Sequence, residues 1–211
     1  MGASNDPVGA TLVASLARPG TNVTGMTVVS PELSRKRLQL LKEVLPRASR
    51  IAVLSNPSYP GTALDVAETR TAALALGLTL QSVEVRNPSE LDAAIASVRD
   101  RADALLPVGD PFLTAQRARI AELAMKHQVP AIYYWKEFVD AGGLMAYGPN
   151  LRDLYRRAAT HVDKILKGAR PADLPVERPT IFELTINVKT ARALGLTIPA
   201  SVLVRADHII E

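Results

Sequence analysis

Apolar residues along the chain fall into short runs separated by segments of helical period. Residues 51–54, IAVL, form an unbroken apolar run with β-branched members, the pattern of a strand buried on both faces. LTLQSVEV (78–85), DALLPV (103–108), VPAIYY (129–134) and LMAYG (144–148) repeat the pattern. Between them, ELSRKRLQLLKEVL (32–45) places Leu33, the stem of Arg37, Leu40, Leu41 and Val44 on one helical face and is stopped by Pro46. TALDVAETRTAALAL (62–76) closes on Gly77 as its C-cap. Ser89, with Asp92 three residues on, reads as the N-cap of a helix reaching about Arg99. A longer helix is predicted from Phe112 to His127, and a short one in WKEFVDA before Gly142-Gly143. The order βαβαβαβ(α)β predicts an α/β fold, a doubly wound parallel sheet with helices on both faces.

The flanks read differently. Residues 1–30 carry one predicted helix, about 8–17, and a short strand, MTVV (26–29). Past Tyr147, a helix over about 151–167 ends at Gly168 and a proline-punctuated segment follows. Strand IFELTIN (181–187), helix VKTARALG and the tail LTIPASVLVRADHIIE complete the chain. These flanks hold too little strand to build an independent sheet.

Composition narrows the function classes. With 211 residues, 47% hydrophobic and 22% charged, the chain has material for one large domain or two small ones. No apolar stretch approaches the roughly 18 residues needed to span a membrane. The start, MGASNDPVGA, has neither a basic region nor an apolar one, so as written the chain reads as cytoplasmic. The absence of cysteine removes disulfides, thiolate nucleophiles and cysteine-held metals. The net charge of +4 comes from 25 basic residues interleaved with 21 acidic ones, and aromatics are only 4%, too few for stacking bases; no nucleic-acid partner is expected. The densest basic cluster, Arg35-Lys36-Arg37, reads as a solvated helix face.

In an open parallel sheet, ligands bind beyond the carboxyl ends of the strands. Here those ends are Ser55-Asn56-Pro57-Ser58, Gly109-Asp110-Pro111-Phe112, Tyr133-Tyr134-Trp135 and Tyr147-Gly148-Pro149-Asn150. Each joins hydrogen-bonding groups to an aromatic or a proline, which suits a small amphipathic ligand; each is also ordinary turn and cap chemistry. Catalytic machinery is harder to find. His127, His161 and His208 read as structural or surface residues, and no nucleophile elbow, zinc-helix motif, P-loop or dinucleotide fingerprint occurs. Glu137 and Asp140 are the one candidate acid/base pair, and solvation accounts for them better. No cofactor or metal is expected.

Six stretches together resemble one family: DPVGATLVASLARPGTNVTG, RIAVLSNPSYPG, ADALLPVGDPF, VPAIYYWKEFVDAGGLMAYG, LKGARPADLPVERPTIFELTINVKTARALGLTIP and VLVRADHIIE. They are similar, in order and over essentially all of the chain, to the substrate-binding proteins of ATP-binding-cassette (ABC) transporters of the tryptophan/tyrosine-uptake type. The resemblance implies a type I periplasmic-binding fold of two α/β lobes that close on a ligand by a hinge. Residues 29–148 would form the C-terminal lobe, and 1–28 with 149–211 the remaining pieces of an N-terminal lobe whose first strands are lacking. It implies a non-catalytic solute-binding component, periplasmic or membrane-anchored, that takes an amino acid, perhaps aromatic, and serves ABC permease subunits. Asp6, Asn56, Ser58, Asp110, Tyr133 and Tyr134 fall at the matching ligand-facing positions, with Asp110 suited to an α-ammonium. The incomplete lobe is expected to favour self-association. The competing readings are a ligand-sensing regulatory domain and a Rossmann-like isomerase using Glu137 and Asp140.

Overall fold

The computed structural model describes residue 4, residues 6–28 and residues 31–211. The chain divides into two compact units, one of residues up to 30 with 149–182, the other of 31–148 with 183–211.

The larger unit is built on parallel strands. Helix α1 (Pro31–Val44) leads to β1 (Arg50–Ser55), α2 (Thr62–Ala75) and β2 (Thr79–Glu84). Short helices α3 (Leu91–Ala96) and α4 (Val98–Arg101) precede β3 (Ala104–Pro107), and α5 (Pro111–Ala115) and α6 (Arg117–Lys126) precede β4 (Ile132–Tyr133). Then come α7 (Lys136–Asp140) and β5 (Met145–Pro149). The strands stand in the order β2-β1-β3, and a parallel bridge from Leu105 to Ala131 carries the sheet on to β4 and β5. The Leu105 amide seals that junction, donating to the Pro130 carbonyl at 2.8 Å.

β1 runs parallel to both neighbours, with Leu54 opposite Val83 on one side and Pro107 on the other. Its last five residues are all buried, as an apolar run covered on both faces requires. One core cluster joins Leu38, Leu41 and Val44 of α1 and Ala73 of α2 to Ile51, Leu106, Ile132 and Met145 of the sheet. By the alternation of side chains, Ala52, Leu54 and Leu105 turn to the other face, where α4 packs on β1 and β3 and α3 packs on α6.

Several local expectations shift. The cap of the segment before α3 is Asn87, whose side chain accepts from the Ser89 amide at 3.1 Å; Glu90 in turn accepts from Asn87 Nδ2 at 2.6 Å. The helix expected over 112–127 is broken at Gln116, whose ψ of 10° is off the helical value. Residues 183–211, grouped by the sequence reading with 149–182, lie in the larger unit instead. The reason is edge pairing: β6 (Phe182–Asn187) stands beside β5, and β7 (His208–Ile210) runs parallel to β6. Asp207 ties the tail down by accepting from the Leu184 amide at 2.7 Å. Between these strands lie α9 (Val188–Ala193) and α10 (Ala200–Leu203), whose Ala191 and Val202 enter the same core.

In the smaller unit the helix expected over 8–17 does not form. Asp6 Oδ1 accepts from the Gly9 amide at 2.7 Å, Thr11 adopts a left-handed φ of 56°, and the chain turns back. Of the expected strand 26–29, Met26 makes one bridge to Glu177, while Val29 lies outside the described residues. Helix α8 (Leu151–Leu166) does form, capped by Asn150, which accepts from the Asp153 amide at 2.8 Å. His161 is buried on it, its Nε2 at 3.0 Å from the Pro175 carbonyl, a structural histidine as expected.

Asp103 fixes the start of the sheet: its Oδ2 accepts from the Ser49 and Arg50 amides at 2.7 and 2.8 Å. Burial alone would raise its pKa, but these amides and the Arg50 guanidinium outweigh it and hold the carboxyl below its ordinary value. Its contribution to stability is therefore complete above about pH 4 and is lost as pH falls through the lower folded-state value. Asp103→Ala is expected to cost about 1–2 kcal/mol at neutral pH, measured by urea denaturation, with the difference from wild type shrinking below pH 4.

Candidate functional site

The strand order places a switch point between β1 and β3. From β1 the chain moves outward to β2, then returns to the other side of β1, so the connections leaving β1 and β3 part and leave a crevice beyond their carboxyl ends. Two of the residues expected to face a ligand meet there. Asn56, one residue past β1, directs Nδ2 at Asp110 Oδ2 over 3.3 Å. Asp110 caps α5, its Oδ1 accepting from the Leu113 amide at 2.7 Å. Asn56 Oδ1 accepts from the Ser58 amide at 3.0 Å, so SNPS is a turn that also positions a side chain on the rim.

Asp110 is only 3% exposed, and among the described residues it has no cationic partner. A carboxylate withdrawn from water in this way is held by the amide, the Asn56 donor and the backbone alone. Tyr134 closes the site from below: its hydroxyl donates to the Asp110 carbonyl at 3.0 Å and lies 2.6 Å from Thr114 Oγ1. Burial pushes the phenol well above its ordinary pKa, so Tyr134 is neutral throughout the physiological range.

The remaining expected residues separate. Tyr133, adjacent in sequence and the last residue of β4, does not join the Asp110 network. It is fully buried, stacked on Phe138 at 4.7 Å, and its hydroxyl has no hydrogen-bond partner. Ser58 is exposed and enters the rim network through its backbone. Asp6 is in the smaller unit, bonded to Gly9. Of the candidate acid/base pair, Asp140 is salt-bridged to Lys136 at 2.6 Å on the surface of α7 and Glu137 is half-buried one turn back. Among the described residues no group of three His, Asp or Glu side chains stands close enough to hold a metal.

Sequence reasoning missed Arg37. The triplet Arg35-Lys36-Arg37 was expected on a solvated face, yet Arg37 is 9% exposed and its Nε donates to the Tyr147 carbonyl at 2.7 Å. Burial lowers its pKa to about 10, opposed by Asp65 and by the Tyr134 and Tyr147 phenols, so it is still a cation at neutral pH. The signal was present in the helical period, which set the stem of Arg37 on the apolar face with Leu33, Leu40, Leu41 and Val44. Gly148, at the end of β5, completes this wall: a Cβ there would lie 1.9 Å from the Tyr134 carbonyl oxygen.

A sheet of this order with its polar rim at a switch point is a type I periplasmic-binding-like α/β fold. At 15% identity the chain shares that fold with a LacI family transcriptional regulator from Bifidobacterium animalis, with a TM-score of 0.56 over 75% of this chain and 61% of that one. Residues 1–210 match the ABC transporter substrate binding protein family, and the chain belongs to it. It is 29% identical over 197 residues to the tyrosine-binding protein of Clostridioides difficile, covering 93% of this chain and 56% of the relative. The chain thus spans about half the length of the curated relative it matches. A solved ABC domain from Streptococcus pneumoniae in complex with L-Trp superposes with a TM-score of 0.93 at 30% identity, over 100% of this chain and 70% of that one.

Because backbone oxygen is a poor neighbour for a methyl group, Gly148→Ala is expected to destabilise the fold by about 1–3 kcal/mol. Urea denaturation measures it, and Gly142→Ala, at a positive φ but with open space around it, separates crowding from backbone strain.

Proposed function

We propose that the chain is the solute-binding component of an ABC transporter and binds an amino acid, without catalysing a reaction on it. The observation that carries this reading is the Asp110 carboxylate, buried on the rim at the switch point and, among the described residues, without a cation in contact. An α-ammonium group would supply the missing charge and donate to Oδ2 beside Asn56, while Tyr134 and its aromatic neighbours would flank the apolar part of the ligand. Family membership and the ligands named for the tyrosine-binding and L-Trp-bound relatives support an aromatic amino acid. On this reading the protein works outside the cytoplasmic membrane and delivers its ligand to permease subunits; among the described residues no helix is long and apolar enough to cross a membrane. Residues 1–28 and 149–182 would belong to the second lobe of such a protein, with Asp6 as its ligand-facing residue.

A ligand that binds only the folded state raises the melting temperature once its concentration exceeds the dissociation constant. L-tyrosine or L-tryptophan is expected to do so saturably. Asp110→Asn keeps an equally good helix cap, so its own melting temperature should stay near wild type while amino-acid affinity falls roughly 10- to 100-fold. Equal affinity in the two proteins would remove Asp110 from the site.

We also propose that the smaller unit self-associates. Tyr155, Val162 and Leu166 recur along α8 and are 57%, 56% and 82% exposed. Light scattering at micromolar protein should give a mass above the monomer's 22.6 kDa, and a monomeric mass would count against it.

A further inference from the structure

Tyr133 buries a hydroxyl for which the protein supplies no partner. Among the described residues its Oη is one of two buried side-chain oxygens without a hydrogen bond, the other being Thr185 Oγ1. Burial raises the phenol's pKa well above its ordinary value, so the group stays a neutral O–H, able both to donate and to accept. Withdrawing such a hydroxyl from water without a new partner costs the fold its full desolvation. Stacking on Phe138 accounts for the ring and leaves the oxygen unexplained.

A small cavity of about 10 Å³ lies against this side chain, within the larger unit. Tyr133 lines it together with Gly142, Gly143 and Thr190, and the other side chains in its wall, Ala124 and Leu144 among them, are apolar. Gly143 shows which end of the ring reaches that wall. A Cβ there would lie 2.5 Å from Tyr133 Cε2, the ring carbon next to the one that bears the hydroxyl. Thr190 Oγ1 donates to the Gly142 carbonyl at 2.9 Å, which leaves lone pairs on both oxygens. One water requires roughly 10–15 Å³ and about two to four polar partners, so the space admits a single water and nothing larger. We propose that the cavity is a binding site for one ordered water, held by the Tyr133 hydroxyl, Thr190 Oγ1 and the Gly142 carbonyl. The water joins the end of β4 to the turn before β5 and to α9. It thereby steadies the strand end from which Tyr134 reaches the Asp110 backbone.

High-resolution crystallography of the 211-residue chain tests this directly. An isolated density peak within hydrogen-bond distance of Tyr133 Oη and Thr190 Oγ1 is expected. A dry cavity, or a Tyr133 hydroxyl bonded to protein instead, overturns the inference. Oxygen-17 magnetic relaxation dispersion, which counts long-lived internal waters, carries the test into solution. Tyr133→Phe and Thr190→Val are each expected to lose one such water relative to wild type, and Thr190→Ser to retain it. Tyr133→Phe should also melt about 2–6 °C below wild type, because the water is stripped of a partner. Removing a hydroxyl that had no partner would instead raise the melting temperature. Unchanged dispersion in Tyr133→Phe, or a variant that melts above wild type, therefore counts against the site. If Tyr133→Phe does not melt cooperatively, the wild-type crystal decides.

Discussion

Everything on the rim depends on β1 being hydrogen-bonded on both sides. With β2 on one flank and β3 on the other, its backbone groups are satisfied only by strands that leave in opposite directions. The connection to α2 and the connection to α5 therefore part above the sheet, and the last residues of β1 and β3 face each other across the gap. Asn56 and Asp110 are 54 positions apart in the chain and meet because Leu54 stands opposite Pro107. A shift of register by one residue would separate Asn56 from Asp110.

That constraint also explains why charge can be buried here at all. The α5 amide and the Asn56 side chain supply donors to Asp110, and the Tyr147 carbonyl supplies an acceptor to Arg37, so each charge has polar contact although, among the described residues, neither stands in an ion pair. Such arrangements cost folding energy. The opposite end of the sheet has no such tension. There Asp103 meets amides and a guanidinium at once, and the site is structural.

The chain belongs to the family of ABC transporter substrate binding proteins. Glu137 and Asp140 do not converge with a nucleophile or a metal among the described residues, and Asp140 is occupied by Lys136. The rim carries fixed donors and acceptors beside Tyr134, whose ring lies against Trp135 and Phe138.

The sequence by itself determined the five strands of the central region, the places of the helices between them and the polar character of the strands' carboxyl ends, because buried parallel strands and amphipathic helices write their periods into local composition. It also marked Asn56 and Asp110, whose types and positions after apolar runs are local features. Only tertiary structure decided the rest. Tyr133 and Tyr134 look alike in sequence, yet only the Tyr134 hydroxyl reaches the Asp110 backbone, while the Tyr133 hydroxyl is buried without a partner. The tail 183–211 joined the larger unit because β6 found a vacant edge at β5, a pairing between residues far apart in the chain. The helical pattern at 8–17 yielded to a turn anchored by Asp6. Arg37 read as surface because its neighbours are charged; the helical period already set its stem on the apolar face, and where α1 lies on the sheet decided how deeply the guanidinium is buried.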